Sequence, residues 1–528
     1  MIFNPLEEFE QRLQGQHLSY TTQRLEALTQ QAGVNVAENQ KTVSEYIKWD
    51  QNTAALKKKL GWRKFWRVLM CITLVLIPVV IWKLNPIIKQ LQQELEESQA
   101  KQAQLLELAW RQMKPLNDLF TDWMALELIE KTVPDLDFVP NLTYAQELDM
   151  RTNYDFREEI CDSESTLDLL PGHYNGNPFL FERKRVRTIV DHTYTGYKTI
   201  YWTETYRDSN GKLQTRTRSQ TLQASVVKPM PVYGTKLVLH YCAQGGPELC
   251  FSRDATSLHL KNERQIERYV RRGERKLRRK TEKAIKESRD FMSMSNGDFE
   301  VLFDALDRTN EVQFRTLFTP LAQTNMVDLL LSKTTFGDDF AFIKRNRTNR
   351  IEAAHSQTRP LLLAASTYRS YDYAQIRQRF IGGNTEYFKS MYFDFAPLWA
   401  IPLYQERPVH SLKPIPNHPQ RYSRLETEAL ANTLDPAYTT HPRTKTEAIL
   451  NAVYCSGSDG VDEIRVTGHS YDIEPRLTYV PVLGGDGRFH DVPVEWKEYL
   501  PQQATNRFYV SAAAQGALSY RSGLYIAK

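Results

Sequence analysis

The sequence predicts an α+β protein with one transmembrane helix near its N-terminus. Three observations carry this: an apolar run at 65–84, a threonine- and tyrosine-rich stretch with strand periodicity from Asn177 to Arg253, and a long basic helix within Leu260 to Phe291. N-terminal helices, the spanning helix and a helical stalk come first, followed by a mixed region with antiparallel β-sheet. The boundaries fall at 1–60 for the helical segment, 61–84 for the transmembrane helix and 85–135 for the stalk. An α+β domain at 136–350 and a mixed, β-rich C-terminal region at 351–528 complete the chain.

The apolar run reads FWRVLMCITLVLIPVVIWKL, with its uninterrupted heart from Val68 to Trp82. Val68, Leu69, Ile72, Leu74, Leu76, Ile77, Val79, Val80 and Ile81 supply the greasy surface, and Trp62, Phe65, Trp66 and Trp82 suit the two headgroup zones. Arg67 and Lys83 lie where long basic side chains reach back to water. Lys57, Lys58, Lys59, Arg63 and Lys64 precede the heart without an acid among them, which places the N-terminus in the cytoplasm and the C-terminal region on the other side. A re-entrant element over 61–90 is the exception that would keep both ends together. The expected partner of this segment is the lipid bilayer.

Composition excludes several classes. Hydrophobic residues at 41% and charged residues at 25% fit neither wholesale disorder nor a polytopic membrane protein. A net charge of +5 over 68 basic and 63 acidic residues is too mild to indicate nucleic acid. Five cysteines without C-x-x-C spacing give neither a disulfide scaffold nor a metal site.

Before the run, Phe3, Leu6, Phe9, Leu13, Leu25 and Leu28 recur at helical steps, and Gly33 breaks the segment into a helical hairpin. After it, Asn85 to Asn117 is glutamine- and glutamate-rich with Ile88, Leu91, Leu95 and Leu105 on one face. It reads as a stalk open to self-association or to a protein partner. Arg187 to Tyr206 and Leu213 to Val227 flank Asn210-Gly211, a strong hairpin signal because both positions tolerate positive φ. Leu237 to Cys242 and Glu248 to Phe251 suggest a second pair. That pairing would bring Cys242 near Cys250, as a disulfide or as two thiols.

Within Leu260 to Phe291, Ile266, Val270, Leu277 and Ile285 form a narrow apolar stripe. Arg271, Arg272, Arg275, Arg278, Arg279 and Lys280 are candidates for anionic phosphates, against the reading that interleaved glutamates neutralise a solvated face. Further on, Phe299, Leu302, Phe303 and Leu306 predict a helix, Val312 to Leu317 a strand, Pro320 to Leu331 a helix and Phe340 to Ile343 a strand. Phe299, Glu300 and Phe303, followed by Glu311, Phe314, Leu317, Thr319 and Pro320, resemble the signature of an uncharacterised bacterial family. In that family a membrane segment, usually a hairpin, precedes a mixed α+β domain. The resemblance covers residues 297–345 and carries no functional residue with it.

Chemistry is sparse. There is no G-x-S-x-G elbow, phosphate loop, H-E-x-x-H or G-x-G-x-x-G. Cys455 to Gly460 reads as a turn, Asp338-Asp339 as a strand entry, and His410, His418 and His441 lack metal spacing. No catalytic residue, cofactor or metal is assigned. The expected function is a membrane-tethered, non-enzymatic interaction or scaffold protein. The alternatives are a membrane-anchored hydrolase or transferase with a dispersed site, and anionic phosphate binding, to lipid or nucleic acid, by the 260–291 helix.

Overall fold

The computed structural model describes residues 2–72, 82, 84–157, 160–207, 209, 212–287, 291, 293–408, 420–458, 460–512 and 524–527. In chain order its principal helices are α1 (Gln14–Ala32), α2 (Val36–Ile72), α3 (Asn85–Asn117), α4 (Met124–Thr132), α5 (Tyr144–Tyr154), α6 (Glu263–Lys286), α7 (Gly297–Phe303), α8 (Glu311–Leu317), α9 (Pro320–Leu331), α10 (Tyr373–Trp399) and α11 (Arg424–Ala431). The strands are β1 (Leu136–Phe138), β2 (Glu164–Tyr174), β3 (Asn177–Arg207), β4 (Leu213–Cys242), β5 (Cys250–Arg253), β6 (Phe340–Arg345), β7 (Thr348–Ala353), β8 (Ile449–Ser458), β9 (Val461–Leu483), β10 (Phe489–Ala512) and β11 (Leu524–Ala527). The protein is α+β with two antiparallel sheets. Contacts divide it into a helical unit, Leu6–Pro134 with Leu362–Phe393, and a sheet-bearing unit, Met1–Pro5 with Asp135–Leu361 and Asp394–Lys528.

In the helical unit α1 stops because Gly33 takes φ 62°, a left-handed cap that a side chain would strain, and donates its N–H to the Gln30 carbonyl. Leu25, Leu28, Met113, Leu116, Tyr368 and Phe380 form its core. His17 is buried, with its ring stacked 4.2 Å from Phe388. In the neutral ring Nε2–H donates to the Asn384 carbonyl at 3.3 Å, and Nδ1 lies 2.9 Å from the Thr132 hydroxyl, which itself donates to the Leu128 carbonyl. Burial holds its pKa down at about 4, against the opposing pull of the Asn384 carbonyl.

Helices α2 and α3 run antiparallel against each other. Asn39 meets Gln112 at 3.3 Å, the Thr53 and Ser98 hydroxyls lie 2.7 Å apart, and Leu60 packs with Leu84 and Ile88. This pairing overturns the single-pass reading. A spanning segment would hold Leu60 and Ile88 roughly 30 Å apart across the hydrocarbon, whereas here they share one cluster. Among the described residues no helix is long and apolar enough to cross a membrane. The two sides assigned from the flanking charges fall with the span. Of the anchor residues, Leu74, Leu76, Ile77, Val79, Val80 and Ile81 lie outside the described residues. Val68, Leu69 and Ile72 belong to the backbone of α2, and Trp62, Phe65 and Trp82 are exposed. Of the segment 85–135 read as a stalk, Asn85–Asn117 is one helix and Met124–Thr132 a separate one, and a face of the first packs on α2 of the same chain.

The sheet-bearing unit is built on a seven-stranded sheet of order β1-β2-β3-β4-β7-β6-β5 and a four-stranded sheet of order β11-β10-β9-β8. Strands β3 and β4 pair continuously from Phe179↔Tyr241 to Arg207↔Leu213, but β2 reaches only Val186 and β7 only Leu239. Beyond those points β3 and β4 continue as a two-stranded ribbon. Strands β9 and β10 make a second ribbon, joined by a turn at Gly484 to Arg488. The ribbons lie face to face: Ile200, Leu222 and Ala224 bury against Val492 and Val494. At the crossing a Cβ on Gly196 would sit 1.9 Å from the Pro493 carbonyl oxygen, so only glycine admits this approach.

Four local readings are corrected here. Val312 to Leu317 is helix, not strand: Asn310 caps it by accepting from the Gln313 N–H, and Phe314 and Leu317, one helical step apart, drive into an aromatic cluster with Phe251, Phe299, Phe303 and Phe318. In α6 the buried stripe runs through Leu277 and Ala284, while Ile285 is 72% exposed. Strand β4 pairs with β7, and β5 with β6, so Cys242 and Cys250 are separated by two intervening strands and are free thiols. The stretches Glu463 to Val466 and Leu477 to Leu483, which read from the sequence as separate short strands, are parts of one strand, β9.

Candidate functional site

Along the β4-β7-β6-β5 half of the large sheet, paired residues share a face. Cys250, Arg345, Thr348 and Cys242 form one row across the strands, and Ser252, Ile343, Arg350 and His240 the next. Of these, Cys250, Arg345, Thr348, Ile343, Arg350 and His240, with Asp155, Phe156 and Arg157, line an open cavity of about 420 Å³. Its walls are cationic. Arg350 is held by Glu352 at 2.5 Å, and Asp155 is engaged by Arg347 at 3.4 Å.

Next to His240, on the same face of the sheet, lies a buried charge cluster. The Glu182 carboxylate accepts from the Thr166 hydroxyl at 2.8 Å and His240 Nε2 at 3.2 Å, with the Lys184 ammonium 3.3 Å away. Burial alone would raise its pKa, but Lys184 and His240 overcome that and bring it to about 2. Glu428, from α11, stands on the far side with its pKa raised by burial; it accepts from Arg424 at 2.6 Å and from the Thr166 and Ala452 N–H groups. The cluster joins side chains of β2, β3, β4 and α11, the kind of connected polar network a structural core uses.

A dispersed catalytic site would need a nucleophile within hydrogen-bond reach of its base. Cys250 and His240 share the cavity, but three strand spacings separate them, roughly 14 Å, and His240 is engaged by Glu182. The other thiol of this face, Cys242, is wholly buried, and burial pushes its pKa up. His355 sits between Asp339 at 2.7 Å and Asp394 at 3.5 Å beneath the Phe336 ring, while Arg359 holds Asp394 at 2.5 Å. Asp338 takes Arg253 and the N–H groups of Thr256 and Leu258. Neither of the adjacent aspartates is left for a cation, and among the described residues no cluster of ligating side chains could hold a metal. Residues 409–419, with His410 and His418, lie outside the described residues.

The phosphate candidates of α6 are dispersed. Arg271, Arg272, Arg275, Arg278 and Arg279 are exposed; Arg278 pairs with Glu282 at 3.1 Å and Arg271 with Glu267 at 4.0 Å. Lys280 turns inward, donating to the Leu306 carbonyl and lying 4.2 Å from the Phe291 ring centroid; burial and Arg308 lower its pKa. Gly273 lets α6 approach Val301 of α7, and Arg272 and Lys276 line a small cavity of about 280 Å³ there.

Two surfaces remain. One is the end of the α2/α3 pair, where Trp62, Phe65 and Trp82 are 60%, 57% and 86% exposed. Lys57, Lys58, Lys59, Arg63 and Lys64, all exposed, stand on α2 within a few residues of Trp62 and Phe65, and no acidic residue occurs in sequence between Asp50 and Glu94. The other is the ribbon of β3 and β4, whose even-numbered side chains face β9 and β10 and whose odd-numbered ones face outward. Tyr197 and Tyr201 on that outward face were not singled out from the sequence. The signal that would have found them is a period of two in charge along Thr193 to Val227.

Fold and surfaces together define an α+β protein with an open cationic cavity, a paired-helix arm ending in tryptophans and lysines, and two packed β-ribbons. No protein-family model, no curated protein and no solved structure matches the chain.

Proposed function

We propose that the chain is a non-enzymatic interaction protein that rests on the surface of an anionic bilayer through the end of the α2/α3 pair, without crossing it, and engages a partner protein from there. The observation that supports this is the joint exposure of Trp62, Phe65 and Trp82 beside five cations with no nearby acid. Tryptophan rings favour the headgroup zone, and each lysine or arginine near an anionic surface contributes about 1 kcal/mol. Exposed in water, the same three rings are an association liability. The cationic cavity supports the hydrolase or transferase alternative less well, because its thiol and its imidazole stand too far apart to act together.

The test is sedimentation of the purified full chain with phosphatidylglycerol vesicles. Binding is expected at low salt, with a fall of tenfold or more as salt is raised to several Debye-length reductions. Reversing Lys57, Lys58 and Lys59 to glutamate should remove it, and Trp62→Ala with Phe65→Ala should weaken it. Retention equal to wild type in the charge-reversed chain would overturn the reading. Vesicles of neutral lipid serve as the reference, and a second copy docking through α3 would show as vesicle-independent sedimentation.

A further inference from the structure

On the outward face of the β3/β4 ribbon, odd-numbered positions from 193 to 205 on one strand and from 215 to 227 on the other stand in register, and all are exposed. Eight of these fourteen side chains are threonine and two are serine; Tyr197, Tyr201, Gln223 and Val227 complete the face. None is charged, in a chain with 25% charged residues. Within the same two spans the charges, Lys198, Glu204, Arg216 and Arg218, occupy the even positions. Asp191 and Arg207 bracket the neutral patch at its two ends.

An exposed ribbon normally carries lysine or other charges to prevent stacking on its neighbours. Their absence over the seven paired positions from Thr193↔Val227 to Thr205↔Thr215 therefore calls for an occupant. A second copy of the chain is poorly served: about 40 Å of ribbon, about 10 Å wide, offers roughly 400 Å², half of the ~800 Å² per partner that a standard interface buries. A peptide would pair through backbone groups at a strand edge rather than lie on side-chain hydroxyls. What fits is slender, neutral and rich in hydroxyls.

We propose that this face binds a neutral polysaccharide chain. Tyr197 and Tyr201, 61% and 72% exposed, stand on one strand about 13 Å apart at four residue steps, a spacing that lets each ring meet a separate sugar unit. Between them the Thr199 and Thr221 hydroxyls lie 3.1 Å apart. Each hydroxyl both donates and accepts, matching sugar hydroxyls without burying a charge. The packing of Ile200 and Leu222 on β9 and β10 stiffens the ribbon from behind, so little ordering is left to binding. This site lies in the sheet-bearing unit and stands whether or not the lipid contact does.

The experiment is depletion of the full-length protein by insoluble cellulose, chitin and starch, each tried separately, with Tyr197→Ala/Tyr201→Ala as the test variant and Thr221→Lys as a second. Both changes point outward, so circular dichroism should match wild type. Retention on at least one polymer is expected, weakened about tenfold or more in either variant, on the scale of two lost aromatic contacts. Absence of retention on all three polymers, or retention indifferent to both variants, overturns the proposal. So does a concentration-dependent dimer that the double variant abolishes, which would assign the face to a second copy.

Discussion

Glu182→Gln should destabilise the sheet-bearing unit by about 3 kcal/mol, seen as a lower urea midpoint with an unchanged slope. The substitution keeps shape and removes charge. Lys184 is 3% exposed and His240 2% exposed, so their polar groups were desolvated on the understanding of a carboxylate at 3.3 and 3.2 Å. Breaking a buried pair costs about 3–5 kcal/mol. The low end applies because Glu164 remains 3.4 Å from Lys184 and is itself held by Lys236 at 2.7 Å. A loss below 1 kcal/mol would mean that water reaches this cluster and that the polar core does not order the sheet.

Acidification should weaken the helical unit through His17. Folded, the ring stays neutral down to about pH 4; unfolded, it takes a proton near its ordinary 6.5. The unfolded chain therefore binds more protons throughout that interval, and stability falls as pH falls. The contribution is fully present above pH 6.5, drops between 6.5 and 4, and changes no further below 4. Its size is about 3 kcal/mol from 1.36 kcal/mol per pH unit. Comparing thermal unfolding of wild type and His17→Gln across this window isolates the effect: the gap between them should close as pH drops. Titration of the His17 ring near 6.5 by NMR would refute it.

Much of the local structure was legible. The bounds of α3, the break at Gly33, the long pairing of β3 with β4 and the basic helix α6 all follow from short-range periodicity and turn chemistry; Asn210-Gly211 themselves lie outside the described residues. Less legible was anything set by a distant partner. The apolar run at 65–84 reported greasiness and length, which suit a span, but the antiparallel pairing of α2 with α3 depends on contacts such as Thr53 with Ser98, which no window of sequence contains. Val312 to Leu317 has strand-like composition, yet Phe314 and Leu317 reach the Phe251 cluster only from a helix. Cys242 and Cys250 are near in sequence and apart in the sheet because β6 and β7, a hundred residues on, insert between their strands. The cavity was invisible for the same reason, being assembled from residues on four strands and the segment after α5.

The neutral face also depends on how the two strands are aligned. Side chains alternate strictly along a strand, so sliding β4 by one place would bring Arg216 and Arg218 up beside Tyr201 and drive Thr217 and Ser219 down into the seam. The second ribbon opposes that slide by holding both strands: Gly196 under the Pro493 carbonyl and Lys198 donating to the Asp491 carbonyl at 3.0 Å fix β3, and the Gly485 N–H donating to Gln220 at 2.7 Å fixes β4. The second ribbon thus acts as the template that keeps two incompatible chemistries on opposite sides of the first.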